Sequence, residues 1–160
     1  MHATRNDIPA KTRGKIIDLL NARLADALDL EAQTKQAHWN VKGANFIALH
    51  ELFDKVHGSV EEHVDTIAER IVTLGGTALG TVAVVAKSSE LPAYPLNIVT
   101  GTDHLEALAG SLAAFGKSVR KAIDQSAKLG DAGTSDLFTG VSREVDLQLW
   151  FLEAHITTDK

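Results

Sequence analysis

A chain of 160 residues with 44% hydrophobic and 23% charged side chains has the make-up of one soluble globular domain, 1–160, and is too apolar to be disordered. It has no cysteine, which excludes disulfides, thiolate metal sites and Cys nucleophiles and makes a cytoplasmic location the simplest expectation. The net charge of −5 divides into +3 over residues 1–15, from Arg5, Lys11, Arg13 and Lys15 against Asp7, and −8 beyond, so the body is no polycation built for nucleic acid.

Pro9 suits the first turn of a helix that runs to about His38, patterned by Ile17, Leu20, Leu24 and Ala27. A second helix is expected from Asn45, a good N-cap, to Leu74, where Gly75 and Gly76 stop it. A third begins after Thr102 and carries Leu105, Leu108, Leu112, Phe115, Val119 and Ala122, steps of three and four that make a bundle-facing stripe. A fourth begins near Thr134 with Phe138, Val141, Val145, Leu149, Leu152 and Ile156. No alternating pattern argues for a strand. The longest apolar run, Ala78 to Ala86, is about half a membrane span, and no secretory leader pattern opens the chain.

The connections set the architecture. Helices one and two are joined by a short loop around Gly43, and helices three and four by a short turn between Gly130 and Gly133. Between the pairs lies a long crossover, Gly75 to Gly101, in which the apolar run around Ala78 to Ala86 suggests a short extra helix. An all-α four-helix bundle with one long crossover has ferritin-like connectivity.

On a wheel advancing about 100° per residue, helix two has three faces. Phe46, Leu49, Phe53, Val56, Val60, Val64, Ile67, Ile71 and Leu74 form a core face, and Glu51, Lys55, Ser59, Glu62, Thr66, Arg70 and Thr73 a solvated one. Ile47, His50, Asp54, Gly58, Glu61, Asp65, Ala68, Glu69 and Val72 form a third, mixed strip.

Within that strip His50 and Asp54 lie one turn apart, as do Asp65 and Glu69. The two pairs are separated by about 16 Å along the axis, at 1.5 Å rise per residue, so one helix cannot bring both to one ion. Two antiparallel copies can. A dyad between Ser59 and Val60 sets His50 opposite Glu69, Asp54 opposite Asp65 and Ile47 opposite Val72, with Gly58 allowing close approach. Such an isologous dimer builds two identical sites, each shared between chains. His38, at the end of helix one, comes close to His50 through the Gly43 hairpin. Two histidines and three carboxylates suit iron, manganese or zinc, and paired carboxylates favour the redox-active metals. Any single i, i+4 pair is a common surface pattern (His57 and Glu61 share it), so the weight rests on the dyad and the mixed strip. His63 is read as structural, and His2, His104 and His155 belong to no constellation.

The segment from Lys35 to Asp54, KQAHWNVKGANFIALHELFD, continued by Asp65 to Gly80, closely resembles the Dps family, the DNA-binding proteins from starved cells. Tyr94-Pro95, Asp103-His104-Leu105, Val119 to Ile123 and Leu149 to Glu153 also fit, so the likeness spans about Thr4 to Ile156. The resemblance implies a ferritin-like bundle assembled into a hollow dodecamer. It implies a dinuclear iron ferroxidase centre at the two-fold interface, held by residues matching His38, His50, Asp54, Asp65 and Glu69, with Trp39 and Lys35 beside it. The implied activity is oxidation of Fe²⁺ by hydrogen peroxide and storage of ferric mineral, which protects the cell against oxidative damage. Asp136, then Asp131, match positions that line an iron entry pore in the family; both also suit a helix N-terminus.

One departure concerns DNA. Family members that condense DNA often carry a long Lys-rich arm, whereas the arm here, residues 1–8, holds only Arg5, and the tail from Thr157 to Lys160 has no basic cluster. Twelve copies would still display basic residues multivalently. Three classes therefore stand: an iron oxidase and store, a DNA-compacting structural protein, and a bundle whose polar strip is only an interface. The chain has no Glu-x-x-His motif, which argues against an ordinary ferritin or manganese catalase.

Overall fold

The structure, a computed structural model, describes residues 1–157; the tail residues Thr158 to Lys160 lie outside the described residues. Five helices follow in order: α1 Ala10–Asn40, α2 Phe46–Thr73, α3 Val82–Ser88, α4 Gly101–Lys128 and α5 Ala132–Ile156. α1 packs along α2 and α4 along α5, and the two hairpins close on one another through α1 against α4 and α2 against α5. The short α3 lies on α1. Among the described residues the extended structure is a single bridge between Lys42 and Thr100. No helix among them is long and apolar enough to cross a membrane.

The core is the set of stripes read from the sequence. Ile17, Leu20, Leu24 and Ala27 of α1 are buried, as are Leu49, Phe53, Val56, Val60, Ile67 and Ile71 of α2. Every residue of the α4 stripe is buried, and Phe53, Phe115 and Phe138 are fully enclosed. Burying an aromatic or leucine side chain contributes roughly 1.5–3 kcal/mol, so these stripes hold the hairpins together.

Helix ends are fixed by local chemistry. Leu74 and Leu129 are followed by Gly75 and Gly130 with φ of 86° and 84°. Gly76 N–H donates to Ile71, and Gly75 to Val72; Asp131 donates to Ser126, and Gly130 to Ala127. Both are Schellman stops, in which a left-handed residue satisfies the last carbonyls. Thr100 caps α4 by accepting from the Asp103 amide, and Asp131 caps α5 by accepting from Thr134.

Several details differ from the sequence reading. α1 continues to Asn40, α4 opens at Gly101 and α5 at Ala132, each within a turn of the expected boundary. The crossover helix, Val82–Ser88, overlaps the second half of the apolar run and starts only after Thr81, because Gly80 is a poor helix former and Thr81 takes the extended N-cap position. Asn45 occupies the N-cap of α2 but its side chain makes no cap bond. Phe46 in the first turn is 41% exposed and Val64 in mid-helix is half-buried, so the predicted core face is incomplete at these two positions. The predicted solvated face is partly covered by α5: Ser59 donates to Glu144, and Arg70 reaches Thr134 and Asp131. His63 lies half-buried on the same side, where burial pushes its imidazole below the usual range against the pull of Glu144 and Glu62.

The N-terminal arm is docked. His2 N–H donates to the Gly75 carbonyl, and Arg13 donates to the carbonyls of Ile8 and Leu74. The bonds to Leu74 and Gly75 occupy carbonyls just beyond the end of α2, and Arg13 places a cation at its negative pole.

Candidate metal centre

The α1–α2 hairpin brings His38 and His50 face to face, with ring centroids 3.6 Å apart and planes 22° from parallel. Each Nδ1 lies 2.8 Å from the other residue's backbone carbonyl. A carbonyl only accepts, so both Nδ1 atoms carry the proton. In the neutral imidazole this leaves Nε2 of each ring with the lone pair a metal needs. The cross-bonding also has a local cause: the His38 carbonyl lies in the last turn of α1, where no intrahelical donor remains.

Asp54 follows one turn after His50, and its Oδ1 lies 3.9 Å from His38 Nδ1. Lys35, one turn before His38 on α1, donates to the same oxygen at 2.5 Å. This hydrogen bond, with the adjoining cationic charge, holds the Asp54 carboxyl below the usual carboxylate range. Two δ-protonated imidazoles and an ionised carboxylate are donors suited to a divalent first-row metal.

Asp65 and Glu69 are not part of this cluster. Both are exposed further along the same strip of α2. No group of three metal-ligating residues forms within one chain among the described residues. Around the strip are exposed apolar side chains that a soluble protomer ordinarily covers: Trp39 at 68%, Ile47 at 61% and Val72 at 58%. Glu69, Ala68 and Val72 border a shallow, mainly apolar cavity of about 430 Å³.

The two pore candidates separate. Asp136 is exposed on the first turns of α5, beside a cavity lined by Ala127, Gly130, Ala132, Ser135 and Thr139. Asp131 is buried, and its carboxylate accepts from Thr134 and, at 2.8 and 3.1 Å, from Arg70. It is committed to capping α5 and pairing Arg70, which leaves it no free oxygen to face a channel.

Residues 17–160 match the ferritin-like domain family. The chain is 49% identical over 155 residues to a DNA protection during starvation protein of Agrobacterium fabrum, covering 97% of this chain and 96% of that one. It belongs to the Dps family of ferritin-like proteins. The protein of that name from Mycolicibacterium smegmatis is 34% identical over 91% of this chain and 79% of its own length. The fold superposes on DpsC from Streptomyces coelicolor with a TM-score of 0.94 at 33% identity, covering 99% of this chain and 92% of that one. This Dps-family bundle carries two polar pairings that sequence reading missed. Arg70 with Asp131 was hidden because Arg70 sits among solvated residues and its partner lies on another helix. Tyr94 with His104 was hidden because the path of the crossover decides it.

Proposed function

We propose that this chain is an iron-sequestering ferroxidase that pairs about a two-fold axis, oxidises Fe²⁺ with hydrogen peroxide and stores the ferric product inside a dodecamer. The observation that carries the reading is the His38–His50 clamp beside ionised Asp54, on an outward strip flanked by exposed apolar side chains. The antiparallel dyad supplies what one chain lacks. Each site takes His38, His50 and Asp54 from one protomer and Asp65 and Glu69 from its mate, while Ile47 covers Val72.

Fe²⁺ is the substrate. The imidazoles and carboxylates bind two ions, and the harder oxygen ligands favour the ferric product. Each Fe²⁺ gives one electron; peroxide takes both with two protons, its O–O bond breaks and two waters form. Pairing the electrons avoids a hydroxyl radical. Trp39, beside His38 and largely exposed, is placed to give up an electron to stray oxidants or to pack in the dimer interface.

Asp136 is the pore residue in this reading. Asp136→Asn should slow iron uptake into the assembly while initial oxidation at the dimer site stays at the native rate; uptake at the native rate removes Asp136 from the entry path. The test of the whole reading is anaerobic Fe²⁺ oxidation by peroxide, with no acceleration over buffer overturning it.

DNA compaction is the second reading, favoured by the name of the Agrobacterium relative. The short arm opposes it: His2 ties it to the end of α2 and Arg5 is its single Lys or Arg, with Arg13 on α1 engaged at the same helix end and Lys11 and Lys15 exposed beside it. A gel shift should show at most weak retardation at low salt, lost at physiological salt as counterion release weakens. Firm retardation at physiological salt would make DNA a partner.

A further inference from the structure

A hydrogen-bonded aromatic pair, half-buried Tyr94 and buried His104, lies against α2, which carries part of the proposed iron site. Tyr94, on the crossover between α3 and α4, places its hydroxyl 2.6 Å from His104 Nδ1, with the rings 6.1 Å apart and nearly parallel. His104 is 1% exposed. Burial raises the Tyr94 hydroxyl well above its usual pKa, so Tyr94 is the donor and His104 Nδ1 the acceptor. The His104 proton then sits on Nε2, a buried atom with no well-formed hydrogen bond, towards the Asn40 carbonyl. Asn40 lies two residues beyond His38. On its other side His104 meets Phe53, at 6.5 Å between centroids, and Phe53 is fully buried immediately before Asp54. His104 thus ties Tyr94 to the two chain segments, the end of α1 and the early turns of α2, that carry His38 and Asp54.

A crossover could be pinned to α4 by an apolar contact. A tyrosine hydroxyl aimed at an imidazole lone pair does more: it gives the phenolic proton a buried base at hydrogen-bond distance. Losing an electron without such a base would leave a cation radical at a half-buried site.

We propose that Tyr94 and His104 form a redox pair that quenches the one-electron oxidant produced when a single Fe²⁺ meets peroxide. This inference rests on the ferroxidase reading. One Fe²⁺ reduces peroxide to hydroxide and a hydroxyl radical. Tyr94 supplies one electron, which converts that radical to a second hydroxide. The phenolic O–H bond breaks, its proton passes to His104 Nδ1, and a neutral tyrosyl radical and an imidazolium remain.

Tyr94 is the single tyrosine of the chain, so any tyrosyl signal belongs to it. The test uses the assembled protein with less than one Fe²⁺ per site and excess peroxide, freeze-quenched for electron paramagnetic resonance while iron oxidation is followed optically. A second, iron-free arm oxidises the protein with a ruthenium tris-bipyridyl photosensitiser. Native protein should give a tyrosyl signal in both arms and Tyr94→Phe in neither. His104→Gln should lower the yield by about tenfold or more, because the proton acceptor is gone. Thermal melting of both variants checks the fold. Iron oxidation without a tyrosyl signal in the iron arm overturns the inference. A tyrosyl signal in the photochemical arm with iron oxidation no faster than in buffer overturns the ferroxidase reading and leaves the pair standing.

Discussion

Asp65→Ala should slow peroxide-driven Fe²⁺ oxidation by about 100-fold or more, since even groups that only orient metal ligands cost 10–100-fold when removed. The residue touches no other part of the proposed site within its own chain, so its effect tests the dyad directly. His50→Ala should be as damaging. The decisive result comes from assembling the two variants together. In a mixed dimer one site loses both His50 and Asp65, and the other loses neither. Random pairing of equal amounts makes half the dimers mixed and leaves one of their two sites intact, so about a quarter of native activity should return. A site built within one chain would show no recovery, and absence of rescue in verified mixed dimers would sink the intersubunit assignment.

The second large effect is on stability. Asp131→Ala should destabilise the bundle by about 3–5 kcal/mol, because it strips the α5 cap and leaves Arg70 without its carboxylate partner. Urea unfolding at fixed protein concentration measures it. The dependence on pH has a definite sign. Burial raises the Asp131 carboxyl, but the bonds from Thr134 and Arg70 outweigh it and hold the group below its ordinary value. A depressed carboxyl stabilises the fold above its unfolded pKa of about 3.9 and loses that contribution as pH falls through the folded value. The gap between native protein and Asp131→Ala should therefore be widest near neutrality and narrow below about pH 3.9. A gap that stays constant into acid would show that the carboxylate charge is not what stabilises α5.

Much of this was legible in the sequence because bundle helices advertise their buried side. Leu105, Leu108, Leu112, Phe115, Val119 and Ala122 repeat at helical spacing, and all are buried. The approach of His38 to His50 and Asp54 was legible for a related reason: a short loop around Gly43 and helical spacing bring fixed positions together. Asp131 illustrates the limit. As an acid at a helix start it suits a pore and a cap equally, and only the approach of Arg70, 61 residues earlier, decides between them. Asp26 is similar. It is fully buried beneath the crossover, ion-paired with Arg23 and accepting from the Glu90 amide, and burial raises its carboxyl despite those partners. Nothing in its spacing on α1 distinguishes it from a solvated acid, because the crossover that covers it arrives from elsewhere.

The mutual bonds between His38 and His50 also govern how the hairpin tolerates changes of length. A surface loop usually accepts an extra residue at little cost. Here the residues from Val41 to Asn45, with Gly43 at a φ of 119°, set the register at which each imidazole finds the other's carbonyl. One inserted glycine after Gly43 shifts α2 against α1 and breaks both bonds together, so the loop acts as a ruler. Such an insertion should leave helix content intact and abolish the upfield ring-current shifts of the two stacked imidazoles; their persistence would mean that the loop absorbs the change by itself.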